Sequence, residues 1–246
     1  MVENWGWSLE DGLLTITGTG PMKDFSWQGG PWKDLTDHIF RVCIEDGITS
    51  VGDYSFRNCS EVTEIRLPEG LVSIGMNAFE YCDITSIELP STLERVGHEA
   101  FCLCVYLYTV EIPASVTELP GDAFFASGVQ NIIVEQGNKA YVAEDNVLYT
   151  ADRKTLVFCP ADQTRTSFAV PEGVETVGDY AFTQADRLVS VSLPESVTSI
   201  GASAFRFMRG LQTVSYAGTE EQWQQIAIGE FNDSLDTAAL EFQPEQ

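Results

Sequence analysis

A period of 22 or 23 residues runs through this chain and leaves few folds open to it. Residues 62–82 read VTEIRLPEGLVSIGMNAFEYC, residues 83–104 read DITSIELPSTLERVGHEAFCLC, and residues 188–208 read LVSVSLPESVTSIGASAFRFM. Laid in register, they place a phenylalanine at Phe56, Phe79, Phe101, Phe124, Phe182 and Phe205, in steps of 23, 22, 23, 58 and 23 residues. Four places earlier stands a glycine, at Gly52, Gly75, Gly97, Gly178 and Gly201, replaced once by Pro120. A further proline occupies Pro68, Pro90, Pro113, Pro171 and Pro194, with Glu45 in that slot of the first coil. A fixed period between roughly 20 and 50 residues marks a solenoid.

Each repeated feature has a mechanical reading. The pairs Ile65/Leu67, Ile87/Leu89, Val110/Ile112 and Val191/Leu193 alternate with period two, so each pair faces one side of a short strand. The proline that follows removes a ladder donor and ends the strand. A second apolar pair comes next, Leu71/Ile74, Leu93/Val96 and Val197/Ile200. The glycine is then expected to make a sharp turn with positive φ. The Ala-Phe pairs Ala78-Phe79, Ala100-Phe101 and Ala204-Phe205 suit a tight helical turn that sends the large ring inward. One coil cannot bury its own apolar face, so stacking at about 4.8 Å is what builds a core.

The run LPxxLxxIGxxAFxxC, recurring in phase over about residues 42–216, resembles the BspA-type leucine-rich repeat, a family common on bacterial surfaces. The resemblance implies an α/β solenoid: a right-handed superhelix of short strands and short helical turns with a cap at each end. Residues 1–41 then form an N-terminal β-rich cap and 42–217 the repeats, with an irregular hairpin-containing insert at about 135–167. Residues 218–246 form a C-terminal helical cap and acidic tail.

The leader differs from the repeat. Glu10-Asp11-Gly12 joins two strand-like runs as a hairpin turn, and Pro31 opens a helical stretch over 32–39. Trp5, Trp7, Trp27 and Trp32 crowd this end. They either cover the exposed core of the first coil or offer flat rings to a sugar, and the likeness of the leader to the opening of other BspA-type chains supports the cap. In the insert, VLYTADRKTLVF at 147–158 reads as two strands around a polar tip that projects from an even surface. Thr219-Glu220-Glu221-Gln222 has the pattern of a capping box, opening a helix whose apolar face is Trp223, Ile226 and Ala227; a last strand is expected at 239–242.

Charge narrows the partners. The net charge of -24 repels the phosphates of nucleic acid and an anionic membrane surface. It fits a soluble extracellular protein, a basic partner or weak divalent-ion binding. No apolar run approaches the roughly 20 residues that span a bilayer. Met1-Val2-Glu3-Asn4-Trp5 lacks the basic and then apolar lead of a signal peptide. The chain therefore either stays inside the cell or is exported by a leader absent from this sequence, and the resemblance favours export. Of the six cysteines, Cys59, Cys82 and Cys104 each follow an anchor phenylalanine by three places, in a slot that holds Ser127, Ala185 and Met208 elsewhere; free buried thiols are expected there. No CxxC occurs, and His38 and His98 lie 60 residues apart, so no zinc site or other cofactor is expected.

Two surfaces are candidates for binding. The outward positions of the sheet include Arg66, Glu88 and Glu111, on a strip otherwise polar and short-chained. Two places after the anchor phenylalanine, Tyr81 and Leu103, with neighbouring Phe125, fall on successive coils. They form either an exposed apolar patch or packing against the next coil. No nucleophile–histidine motif, P-loop or dinucleotide loop occurs, so no enzyme is expected. The resemblance implies a monomeric, non-enzymatic binding module at a bacterial cell surface, recognising a protein or glycan of a host or neighbouring cell. The alternative is a structural spacer within a larger surface protein.

Overall fold

The computed structural model describes residues 4–162 and 164–242, so the readings made for Met1, Val2 and Glu3 and for the tail at 243–246 lie outside it. The chain divides into two compact units, Met1–Ala140 and Tyr141–Gln246.

The first unit opens on the antiparallel pair Trp5–Glu10 and Leu13–Gly18, joined by Asp11 and Gly12 at φ 46° and 75°. Leu13–Gly18 pairs in parallel with Arg41–Ile44, and that strand with Glu64–Arg66. A second parallel sheet runs through Gly20–Pro21, Ile48–Val51, Ser73–Ile74 and Arg95–Val96. Thr109–Ile112 and Asn131–Val134 form a further parallel pair. Each coil thus gives one strand before its proline and one before its glycine. The inward residues Ile65, Val110, Ile112, Leu71, Ile74, Leu93 and Val96 are buried, as alternation demands. The proline carbonyl accepts from the amide three places on, at 3.0 Å for Leu93 on Pro90, which folds the corner between the two strands.

The glycines work differently from the expected turn. None of Gly52, Gly75, Gly97, Gly178 and Gly201 has positive φ. They are needed for close approach: a Cβ on Gly97 would lie 2.6 Å from the Gly75 carbonyl carbon, and one on Gly52 would lie 2.0 Å from the Lys23 carbonyl oxygen. Positive φ falls instead on non-glycine residues two places after the glycine (Tyr54, Asn77, Glu99, Tyr180, Ser203) and two places after the phenylalanine (Asn58, Tyr81, Leu103, Ala126, Phe207).

This alternation also explains why the Ala-Phe segments are linked turns rather than helices. Every second amide points along the stack. Phe79 N–H donates to Ala100 O at 2.9 Å and Tyr81 N–H to Cys102 O at 2.9 Å. Those between, Glu80 N–H on Asn77 O and Cys82 N–H on Phe79 O at 3.3 Å each, close three-residue turns, so no i to i−4 ladder forms. Among the described residues, helix is confined to the 3-10 turn Lys33–His38 and the short α-helices Glu220–Trp223 and Asp233–Thr237. The unit is a solenoid of parallel strands and turns, without the regular helical face that an α/β description implies. Inside the first unit the rings stack in one column, Trp32 on Phe56, Phe79, Phe101 and Phe124, with centroid spacings of 5.2, 5.4, 5.6 and 5.7 Å.

The second unit repeats the plan. Tyr141–Glu144 and Val147–Thr150 are antiparallel, and Thr155–Phe158 pairs antiparallel with Val147–Thr150 and parallel with Thr176–Val177. The hairpin at 147–158 is real, but it does not project. Val147, Leu148, Leu156 and Phe158 are buried, because this hairpin starts the sheet on which the later coils stack. Its tip is polar, with Arg153 bonded to Glu144. The other sheet runs Ser167–Ala169, Ser190–Leu193, Thr213–Tyr216, Ala239–Phe242. The capping box at Thr219 is formed, with Gln222 N–H on Thr219 Oγ1 at 3.3 Å and Thr219 N–H on Gln222 Oε1 at 2.7 Å. The helix it opens is short. Trp223 and Ile226 are buried, but Ala227 is exposed, since it begins the strand Ala227–Ile228 beside Ser199–Ile200.

Candidate binding surface

On the sheet face of the first unit Arg66, Glu88 and Glu111 are all exposed; Glu111 lies between buried Val110 and Ile112, while Arg66 and Glu88 each follow a buried isoleucine and precede a half-buried leucine. Arg66 stands beside Cys43 in the ladder, and Glu111 beside Ile133, which is 49% exposed. The coil carrying Glu88 is not assigned as strand, so the three follow one another by coil rather than in an unbroken ladder. In the second unit the same face carries serines and a threonine, with Ser215 Oγ donating to Ser192 Oγ at 2.8 Å. Short side chains bonded to one another offer little to grip.

The corner after the phenylalanine is different. Tyr81 and Leu103 have φ of 61° and 59°, and each donates its amide to the next coil, Tyr81 to Cys102 O and Leu103 to Phe125 O at 3.0 Å. Tyr81 is 47% exposed, while Leu103 and Phe125 are half-buried. The corner is thus graded: one exposed ring followed by two side chains half covered by the stack. The segment that follows Cys104 adds Val105, Tyr106 at 47% and Tyr108 at 50% exposure, which the phenylalanine register did not single out. Beneath this corner Arg57 forks onto Glu80, with Nη2 3.1 Å from Oε1, and Asn77 Nδ2 donates to both Glu80 and Glu99 at 2.9 Å. The Glu80 hydrogen bond raises the Arg57 pKa further.

A third feature lies at the start of the chain. Trp32 is buried, stacks on Phe56 and donates Nε1–H to Ser55 O at 2.9 Å. Trp7 and Phe25 meet its ring edge-on at 5.8 Å each. Between the strand Trp5–Glu10 and the loop at 23–33 these rings leave a cleft of about 660 Å³. Its position followed from no motif; the excess of tryptophan was the only signal.

The BspA-type leucine-rich repeat region model matches residues 36–146 and 158–243 in six copies. The chain belongs to the BspA-type leucine-rich repeat family. This BspA-type match runs past residue 216, where Ala227–Ile228 supplies the second strand of the coil begun by Thr213–Tyr216 and Ala239–Phe242 stacks as the first strand of the next. A leucine-rich repeat protein from Eubacterium ventriosum is 27% identical at TM-score 0.70, over 87% of this chain and 70% of that one. The pneumococcal vaccine antigen PcpA is 16% identical at TM-score 0.59, over 98% and 87%. A leucine rich cell surface protein from Faecalibacterium prausnitzii is 17% identical at TM-score 0.49, over 92% and 97%. No curated protein matches the chain. BspA-type repeats, like leucine-rich repeats generally, serve as protein-interaction modules.

In this BspA-type chain five of the six cysteines belong to the core, and Cys43 lies half-buried beside Arg66 on the sheet face. All six are free thiols, and Cys59, Cys82 and Cys104 are fully buried. Cys82 Sγ lies 3.3 Å from Phe56 O and Cys104 Sγ 3.2 Å from Phe79 O, so each thiol donates to the anchor phenylalanine of the preceding coil. Burial pushes Cys59 and Cys104 up to about 12, which keeps them neutral and unreactive. His98 Nδ1 lies 3.0 Å from the buried Asp122 carboxylate. Among the described residues no helix is long and apolar enough to cross a membrane, and no group of three or more His, Cys, Asp or Glu could hold a metal ion.

Proposed function

We propose that this BspA-type chain is a non-enzymatic binding module of a bacterial cell surface, recognising a protein or glycan of a host or neighbouring cell. The observation that carries the reading is the set of exposed tyrosines at Tyr81, Tyr106 and Tyr108. The fold does not need them inside, and tyrosine is among the residues that dominate binding hot spots. Leu103 and Phe125 extend the apolar ground beside Tyr81, and Arg66, Glu88 and Glu111 supply charge on the sheet face.

The test is binding of the labelled chain to immobilised matrix proteins and mucins at low and physiological salt. A saturable signal that survives physiological salt and falls at least tenfold in a Tyr81→Asn, Tyr106→Ser variant is expected, the size of a hot-spot loss of about 1.4 kcal/mol. Asparagine is chosen because it tolerates the left-handed backbone at position 81. A signal that disappears with salt would be the -24 charge acting without specificity. The second reading, a spacer without a ligand of its own, is favoured by the short bonded side chains of Ser192 and Ser215. It gains ground if nothing binds or the tyrosine variant binds unchanged.

A further inference from the structure

We infer that the cleft between Trp5–Glu10 and the loop at 23–33 binds a carboxylated sugar, a uronic or sialic acid residue at an oligosaccharide end. This rests on the surface-binding reading and assigns a ligand class to a site away from the tyrosine corner. The first ground is shape and lining. The cleft holds about 660 Å³ and is walled by Trp5, Trp7 and Phe25, with Gln28 at the rim. Small-ligand sites combine apolar walls with a few polar groups in about this volume range. A pyranose has one face of C–H groups, weakly positive, that lies well on the negative face of an aromatic ring.

The second ground is charge. The chain carries 37 acidic and 13 basic residues. Of the eleven described residues that line the cleft, two are lysines, Lys23 and Lys33, and none is acidic. On a molecule that repels anions, this cleft is a local exception. Lys23 Nζ lies over the Phe25 ring, 5.6 Å from its centre, so a sugar stacked on Trp5 or Trp7 would bring its carboxylate toward it. Lys33 Nζ bonds both Asp34 carboxylate oxygens, at 2.9 and 3.0 Å, but the Asp34 side chain is 83% exposed, so Lys33 can exchange it for a ligand carboxylate.

The third ground is rigidity. Trp7 and Phe25 rest on buried Trp32. Arg57 Nη1 donates to Trp27 O at 2.7 Å, and Gly29 N–H donates to Ser26 O at 2.9 Å, which pins the loop. Walls already in place bind without the cost of ordering them. A peptide added to the outer edge of Trp5–Glu10 is the competing occupant, but it would use backbone groups and leave the lysines and ring faces without a purpose.

Four of the five tryptophans lie in 5–32, so intrinsic fluorescence reports on the cleft. The full chain should be titrated with sialyllactose, a hyaluronan tetrasaccharide, lactose and a glutamate-rich hexapeptide. Saturable quenching or shift is expected with an acidic sugar, at least tenfold weaker with lactose and with the peptide. Lys23→Gln and Lys33→Gln should each weaken it about tenfold, the loss of one charge-assisted hydrogen bond, with the melting temperature unchanged. Equal binding of lactose, tighter binding of the peptide, or indifference to both lysine changes would overturn the inference. Matrix-protein binding without any sugar response would overturn it too, yet leave the surface-binding reading standing. Silence in both assays would sink both.

Discussion

At Gly75 a Cβ would fall 2.6 Å from the Asp53 nitrogen and 2.7 Å from the Gly52 carbonyl carbon, both backbone atoms that cannot step aside. Gly75→Ala should therefore cost about 2–4 kcal/mol, as severe overpacking does, read from the urea midpoint. Ala126 presents the opposite case, with φ 53° and a side chain that contributes little. Ala126→Gly should gain up to about 1 kcal/mol by relieving left-handed strain; a loss would show that the coil tolerates that backbone without strain. The thiols give a pH dependence. Burial raises the folded-state pKa of Cys59 and Cys104 to about 12 and that of Cys82 in the same direction. Their contribution is complete below the ordinary thiol pKa. It is lost as pH rises from there toward about 12, because only the unfolded chain releases the proton. Each thiol steepens the decline by about 1.4 kcal/mol per pH unit, so Cys82→Ala should flatten it by one such share in urea titrations between about pH 9 and 10. The slots of these residues were readable from the repeat. The reason for glycine was not, since close approach between coils leaves no mark distinct from a turn.

Between elements, backbone bonds and a few side chains hold one coil to the next. Asp179 Oδ1 accepts from Ala202 N–H at 2.7 Å, Asp53 Oδ1 from Met76 N–H at 2.7 Å, and Asp24 Oδ1 from Asp53 N–H at 3.0 Å. At the last coil the pattern changes. Phe182 N–H finds Ala204 O at 2.9 Å, but Phe205 N–H is met by the Asn232 side chain, Oδ1 at 2.8 Å. Asn232 Nδ2 also donates to Gly201 O at 2.9 Å and Gly229 O at 2.8 Å. One amide thus closes three backbone groups. Asn232→Ala should cost about 2–3 kcal/mol, because it leaves buried polar groups unpaired, and should speed hydrogen exchange at the Phe205 amide before other core amides respond. Asp179→Ala should cost about 1–2 kcal/mol for one charge-assisted bond. The Gly-Asp pairs at 52–53 and 178–179 were visible in the sequence, yet nothing in them names a partner one coil away. Asn232 stands outside the repeat register and carried no signal.

Over the whole chain, charge is the influence that no single coil reveals. With a net -24, self-repulsion opposes compactness, and salt screens it. The melting temperature should rise between about 10 and 150 mM sodium chloride, over which the Debye length shrinks from about 30 to 8 Å. A flat response would mean that the acids are too widely spread to repel. The period alone specified the stacking, the strand pair of each coil, the buried phenylalanine column and the core thiols, because a repeated apolar pattern can be buried only by copies of itself. Contacts between coils settled the rest. Turn replaced helix at Ala-Phe because alternate amides there bond across the stack, and the 147–158 hairpin lies inside because later strands pair with it. Trp5, Trp7 and Phe25 wall a cleft only because Trp32 takes the end of the ring column, an arrangement of residues from separate elements that no local pattern encodes.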